Sequence, residues 1–145
     1  MELKIYFAGS IRGGRDDKEQ YLKLITYLKT HGKVLTEHVA DPSLTPKGEE
    51  NLTDIQIYNR DIDWIKESDI IIAETTAPSL GVGYELAYAE KLNKPILCLY
   101  KIKPNKRLSA MLSGNQYFKI INYNQIDEAK EHIKDFIKTF NNILI

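Results

Sequence analysis

Five short runs rich in apolar and β-branched residues punctuate the chain, at Lys4 to Ala8, Lys33 to Thr36, Ile70 to Ala73, Ile96 to Tyr100 and Tyr117 to Tyr123. Helical periodicity separates most of them. From about Asp17 to His31, Tyr21, Leu24, Ile25 and Leu28 recur at spacings of three and four, and the pattern stops at Gly32, a residue suited to ending a helix. A helix is predicted from about Thr53 to Glu67 with Ile55, Tyr58, Ile62 and Ile65 as its apolar stripe, and another from about Gln125 to Phe140 with Ala129, Ile133, Phe136 and Phe140. The run from Pro78 to Ala89 reads as a turn passing into a helix. Strands alternating with helices predict an α/β fold, a parallel sheet covered by helices. A chain of 145 residues fits one domain. Glu37 to Leu52, with Pro42, Pro46 and Gly48, is the one long irregular stretch, of a length found in binding loops and in plain crossovers.

Charge narrows the ligands. Twenty Lys and Arg balance twenty Asp and Glu, so no global field draws the protein to a nucleic-acid polymer or an anionic membrane, and any anion binding is local. Met1-Glu2-Leu3-Lys4 runs straight into the first strand, too short and polar for a signal peptide, and no apolar run approaches the roughly 18 residues of a membrane span. A cytoplasmic protein is expected. Cys98, the only cysteine, lies in the strand-like Pro95 to Tyr100 with no activating charge beside it and reads as core. His31, His38 and His132 are scattered, so neither a metal nor another cofactor is expected.

Three places carry candidate chemistry. Gly9-Ser10-Ile11-Arg12-Gly13-Gly14-Arg15 follows the first strand: glycines permit close backbone approach, Ser10 offers a hydroxyl, and Arg12 and Arg15 can pair with phosphate oxygens. It is neither Gly-x-Gly-x-x-Gly nor a Walker A loop, so it reads as an anion cradle at the carboxyl edge of the sheet. Glu85 falls in the first turns of the helix after Pro78. Its neighbours three and four residues away, Gly81, Val82, Tyr88 and Ala89, offer no charge, whereas Glu90 has Lys94 four residues on. Glu85 is therefore expected to face inward, ionised by the nearby helix N-terminus as suits a nucleophile. Asp61 has Ile57, Tyr58, Trp64 and Ile65 around it and also reads as inward, while Asp63, beside Asn59, Arg60, Lys66 and Glu67, reads as surface. A structural aspartate satisfied by backbone donors would fit Asp61 as well. Two inward carboxylates beside a phosphate cradle point to glycosyl chemistry on a phosphorylated sugar, one carboxylate acting as nucleophile and the other handling protons. Tyr6, Glu37, His38 and Ser79 also lie near this edge.

Tyr6 through Arg15, Val34-Leu35-Thr36-Glu37-His38-Val39, Asp61 with Trp64, Pro78 through Leu86, and Leu108-Ser109-Ala110-Met111 together resemble the 2′-deoxynucleoside 5′-phosphate N-hydrolases, relatives of the nucleoside 2-deoxyribosyltransferases. The resemblance spans most of the chain and is thinnest in the long loop and after Gly114. It implies a single Rossmann-like domain with a five-stranded parallel sheet flanked by helices. It also implies a cytoplasmic hydrolase that cleaves the N-glycosidic bond of a deoxynucleotide to 2-deoxyribose 5-phosphate and free base. Glu85 is then the nucleophile and Asp61 assists departure of the base, or orders Tyr6 or Glu85. Ser10, Arg12, Gly14 and Ser79 hold the phosphate; Tyr6 and His38 lie by the nucleotide, and Gly9, Ile11, Gly13, Arg15, Gly81 and Met111 join the binding set. Ser109 reaches the phosphate site of a neighbouring subunit, which implies a homodimer. A transferase exchanging bases through the same intermediate, and a non-catalytic nucleotide-binding module, are the rival readings.

Overall fold

The computed structural model describes residues 2–11, 18–40 and 51–143. Its strands are β1 (Lys4–Ala8), β2 (Lys33–Val34), β3 (Ile70–Glu74), β4 (Ile96–Lys101) and β5 (Lys119–Tyr123). They form one wholly parallel sheet in the order β2-β1-β3-β4-β5. Helices α1 (Lys18–Leu28), α2 (Asp54–Glu67), α3 (Leu80–Lys91), α4 (Ala110–Ser113) and α5 (Ile126–Ile143) connect them, with a 3-10 turn at Glu37–Ala40. This is the single α/β domain with five parallel strands that the sequence pattern and resemblance anticipate.

Side-chain alternation along the strands divides the core in two. Ile5, Phe7, Ile70, Ile72, Leu97 and Leu99 point to the face covered by α1 and α5, where Tyr21, Leu24, Leu28, Ala129, Ile133 and Ile137 bury against them. Tyr6, Ala8, Ile71, Ala73, Ile96 and Cys98 point to the other face, under Ile62 and Ile65 of α2 and Val82, Leu86 and Ala89 of α3. Cys98 is core as expected, and burial pushes its thiol up to about 12. Phe136 and Phe140 of α5 pack at the edge of the first core, where Ile137 goes deeper.

The structure corrects several boundaries. β2 is shorter than expected because Thr36 leaves the ladder: its hydroxyl accepts from Phe7 N at 2.8 Å and donates to Phe7 O at 2.6 Å, replacing backbone pairing with a side chain. β5 starts later than expected because Tyr117 N donates to Asn115 Oδ1 (2.9 Å) in a turn. α2 begins with a capping box, Thr53 accepting from Gln56 N (3.1 Å) and Gln56 accepting from Thr53 N (2.9 Å). Only Ile62 and Ile65 of its predicted stripe are core; Ile55 and Tyr58 are exposed. Of the long irregular stretch, residues 41–50 lie outside the described residues.

Gly32 ends the first helical segment for a reason other than a left-handed backbone. A Cβ there would come within 2.3 Å of Leu3 O, the acceptor of the Lys33 N–H that starts β2. Gly32→Ala is therefore expected to push the β1–β2 edge apart and to lower the unfolding free energy by about 1–3 kcal/mol, read from a denaturant titration.

Candidate active site

The order of the sheet reverses between β1 and β3: β1 continues outward to β2, and β3 onward to β4 and β5. In such sheets the crevice beyond the carboxyl ends of the diverging strands is where ligands bind. A cleft of about 570 Å³ opens there, lined by the end of β1, one face of α2 and the start of α3.

Glu85 stands in this cleft, and the Tyr6 hydroxyl donates to its Oε2. Tyr6 belongs to the set of β1 side chains that face α2 and α3, which carries its phenol from the sheet to the helix. Among the described residues Oε1 has no hydrogen-bond partner. Desolvation raises the Glu85 carboxyl to about 8. The helix N-terminus was expected to keep Glu85 ionised; it starts with Ser79 as cap, but loss of water around the carboxylate outweighs it. The contrasting Glu90 also departs from expectation: it accepts from Asn115 Nδ2 (2.8 Å), while Lys94 donates to Lys66 O and Ser68 O.

Asp61 lines the same cleft, one face of α2 away from exposed Asp63. It is partly buried and ion-paired, Arg60 Nη2 lying 2.9 Å and Nε 3.0 Å from Oδ1. Arg60 also lies over the Trp64 ring at 4.7 Å and 3.2 Å from His38 Nε2, and the His38 ring packs on Trp64 at 5.5 Å. Thus His38 and Asp61 join through one guanidinium.

Of the cradle, Gly9, Ser10 and Ile11 are described; Arg12, Gly13, Gly14 and Arg15 lie outside the described residues. Gly9 and Ile11 line the cleft. A Cβ on Gly9 would meet the Tyr21 ring at 3.0 Å, so the backbone passes close over that ring, and Ser10 N donates to Tyr21 Oη (3.0 Å). The Ser10 hydroxyl is fully buried with no partner among the described residues. Ser79 Oγ accepts from Val82 N (3.2 Å), which leaves its own O–H free to donate toward the cleft. Gly81 lines the cleft beside it. Ser109 and Met111 stand elsewhere, in a second hollow of about 420 Å³ behind the Ser79 turn. Among the described residues no group of three or more His, Cys, Asp or Glu is placed to hold a metal ion.

The nucleoside 2-deoxyribosyltransferase pattern matches residues 5–137. The chain belongs to that family. The 5-hydroxymethyl-dUMP N-hydrolase of Mus musculus is 52% identical over 115 residues, which are 79% of this chain and 66% of the mouse protein, so the chain spans about two thirds of that relative's length. The Danio rerio protein of the same name is 45% identical over 140 residues, 94% of this chain and 97% of that one. The structure of a Clostridium botulinum CMP N-glycosidase has the same fold, with a TM-score of 0.65 at 22% identity over 92% of this chain and 98% of that chain.

In this deoxyribosyltransferase-family site, three residues escaped the sequence reading. Arg60 pairs with Asp61 from the adjacent position, which the three- and four-residue spacing of a helix face does not include. Tyr84, beside Glu85, and Tyr58, assigned to the core stripe, both line the cleft instead.

The raised Glu85 carboxyl has a consequence for stability. Its folded value of about 8 lies above the ordinary carboxyl value of 4.5, so the stability it contributes is full below pH 4.5 and is lost as pH rises through 8. Glu85→Gln, which cannot ionise, is expected to melt above the wild type by a margin that widens from pH 5 to pH 8 and then levels. Thermal unfolding across that range checks it; a margin independent of pH would refute the buried, protonated carboxyl.

Proposed function

We propose that this protein hydrolyses the N-glycosidic bond of 2′-deoxynucleoside 5′-monophosphates, 5-hydroxymethyl-dUMP among them, to 2-deoxyribose 5-phosphate and free base. The observation that carries the reading is Glu85: one carboxylate oxygen is held by Tyr6 and the other is open to the cleft, in a chain whose relatives are named N-hydrolases. In the reaction the Glu85 carboxyl first gives up its proton to water, and the carboxylate attacks the anomeric carbon as the bond to the base breaks and its electron pair leaves with the base. A covalent deoxyribosyl-Glu85 ester forms. Water then adds to the same carbon and releases the carboxylate. The sugar has no 2′-hydroxyl, so positive charge builds on it readily, and the carboxylate beneath it is worth most at that moment.

Asp61 handles the leaving base, protonating or orienting it, and the guanidinium of Arg60 sets its direction. His38, joined to the same guanidinium, lies by the nucleotide. The buried unpartnered hydroxyl of Ser10, the O–H of Ser79, the backbone from Gly9 to Ile11 and at Gly81, and the cradle residues Arg12, Gly13, Gly14 and Arg15 take the 5′-phosphate. Gripping the phosphate fixes the sugar against Glu85, so binding remote from the breaking bond lowers the barrier.

Two subunits complete the site in this reading, with Ser109 of one reaching the phosphate of the other and Met111 packing beside it. Leu80 and Met111, exposed by 96% and 80%, flank the hollow that holds Ser109 and form an apolar rim for a second copy. Ser109→Ala should raise KM for the nucleotide about tenfold while the protein still sediments as a dimer; a monomer at micromolar concentration would sink this part.

The family also contains enzymes named for deoxyribosyl transfer, and base exchange would run through the same ester. A panel of deoxy- and ribonucleosides with and without the 5′-phosphate, assayed for base release and then with a second free base added, separates the readings. We expect release from the deoxynucleoside monophosphates only. Glu85→Gln should cut turnover by about three orders of magnitude, worth about 4 kcal/mol of barrier, with nucleotide binding retained. Exchange outrunning hydrolysis would replace the hydrolase by a transferase, and full activity in the variant would remove Glu85 from the chemistry.

A further inference from the structure

The α2 residues that line the cleft, Asp54, Ile57, Tyr58 and Asp61, recur at spacings of three and four and so stand one turn after another on a single face of the helix. Asp61 lies at the end of the row nearest the core. Tyr58 comes one turn toward the open N-terminus of α2 and meets Tyr84 of α3, their rings 6.0 Å apart and tilted by 59° and their hydroxyls 3.0 Å apart. Tyr84 in turn stacks on Tyr88, centroids 6.4 Å apart, which fixes its plane. Both tyrosines stay about half exposed, 48% and 53%, with aromatic flank and hydroxyl open to the cleft. This wall lies one turn beyond the carboxylate assigned to the leaving base.

We propose that Tyr58 and Tyr84 recognise the base, and that their hydroxyl pair favours a pyrimidine carrying a hydroxylated one-carbon substituent over the same ring carrying a methyl. The inference rests on the hydrolase reading for where the sugar lies. Either phenol can donate to the other, so the pair keeps one unused O–H and unused lone pairs between them. A hydroxymethyl group both donates and accepts and can join the pair with every hydrogen bond replaced. A methyl cannot. With a methyl, however, the two phenols remain bonded to each other and no polar group is stranded, so the selection is about tenfold rather than the roughly ten-thousandfold of a site that leaves donors unpaired. The bond to Tyr84 also raises the Tyr58 phenol above its ordinary value, so it stays a neutral donor at physiological pH.

The test compares 5-hydroxymethyl-dUMP with thymidine monophosphate on the wild type, Tyr58→Phe and Tyr84→Phe, by kcat/KM for base release. Calorimetric binding of both nucleotides to Glu85→Gln, with and without Tyr58→Phe and Tyr84→Phe together, is the second arm. The wild type is expected to prefer the hydroxymethyl nucleotide about tenfold. Each Phe variant should lose about tenfold more kcat/KM on the hydroxymethyl nucleotide than on thymidine monophosphate, which removes that advantage, and melt within a degree or so of wild type. Equal losses on both nucleotides, or a preference that survives both substitutions, would overturn the assignment. If the wild type releases no base from either nucleotide, the hydrolase reading fails, and calorimetry still decides the tyrosines. A hydroxymethyl preference abolished by the double substitution upholds their role in base recognition; equal affinities, or no binding at all, ends it.

Discussion

The hydrogen bond from Tyr6 to Glu85 joins the middle of β1 to the first turns of α3, 79 residues apart in the chain, and the rest of the site is arranged about it. It requires three things at once. β1 must lie beside β3, so that the helix leaving β3 passes over β1; Tyr6 must take the sheet face that α2 and α3 cover; and α3 must start close enough to the sheet edge for its second turn to reach the phenol. The parallel pairing of Ile5 to Ala8 with Ile70 to Ala73 meets the first, strand alternation the second, and the short Thr75 to Ser79 connection the third.

Two glutamates at the same sheet edge differ in how their carboxylates are satisfied. Glu74, at the end of β3, is wholly buried and accepts from Thr76 N (2.7 Å), Thr76 Oγ1 (3.0 Å) and Tyr123 Oη, while Thr76 Oγ1 accepts from Lys101 N (2.8 Å). Those donors lock the carboxylate between β3, β4 and β5, and Glu74 ties strands together. Among the described residues Glu85 has one donor, Tyr6, and faces a cleft. Desolvation makes its charge costly, which raises its carboxyl to about 8. Among the described residues, the two carboxylates differ in the number of donors supplied.

The two faces of the sheet divide the work accordingly. α1 and α5 bury continuous apolar stripes and, among the described residues, act on the cleft through Tyr21, which receives the Ser10 amide. α2 is split along its length: Ile62 and Ile65 belong to the core, whereas Asp54, Ile57, Tyr58 and Asp61 spend one face on the cleft. A helix that leaves half of an apolar stripe unburied forgoes stability. It gains a wall on which a flat, partly polar ring can rest.

Local sequence was enough for what local physics controls. Period and alternation marked four of the helices and all five strands near their observed positions, because burial of one face constrains every second residue of a strand and every third or fourth of a helix. The inward carboxylate at Glu85 was legible in the same way, from neighbours that offered it no partner. What the tertiary structure alone decided are relations between elements. These are the β1–β3 adjacency, the phenol of Tyr6 on Glu85, the guanidinium of Arg60 spanning Asp61 and His38, and the departure of Tyr58 from the core to meet Tyr84. The protonation of Glu85 belongs with them. A helix N-terminus can be read from a cap and a turn, but desolvation depends on what distant segments pack around the carboxylate, and no window of sequence contains them.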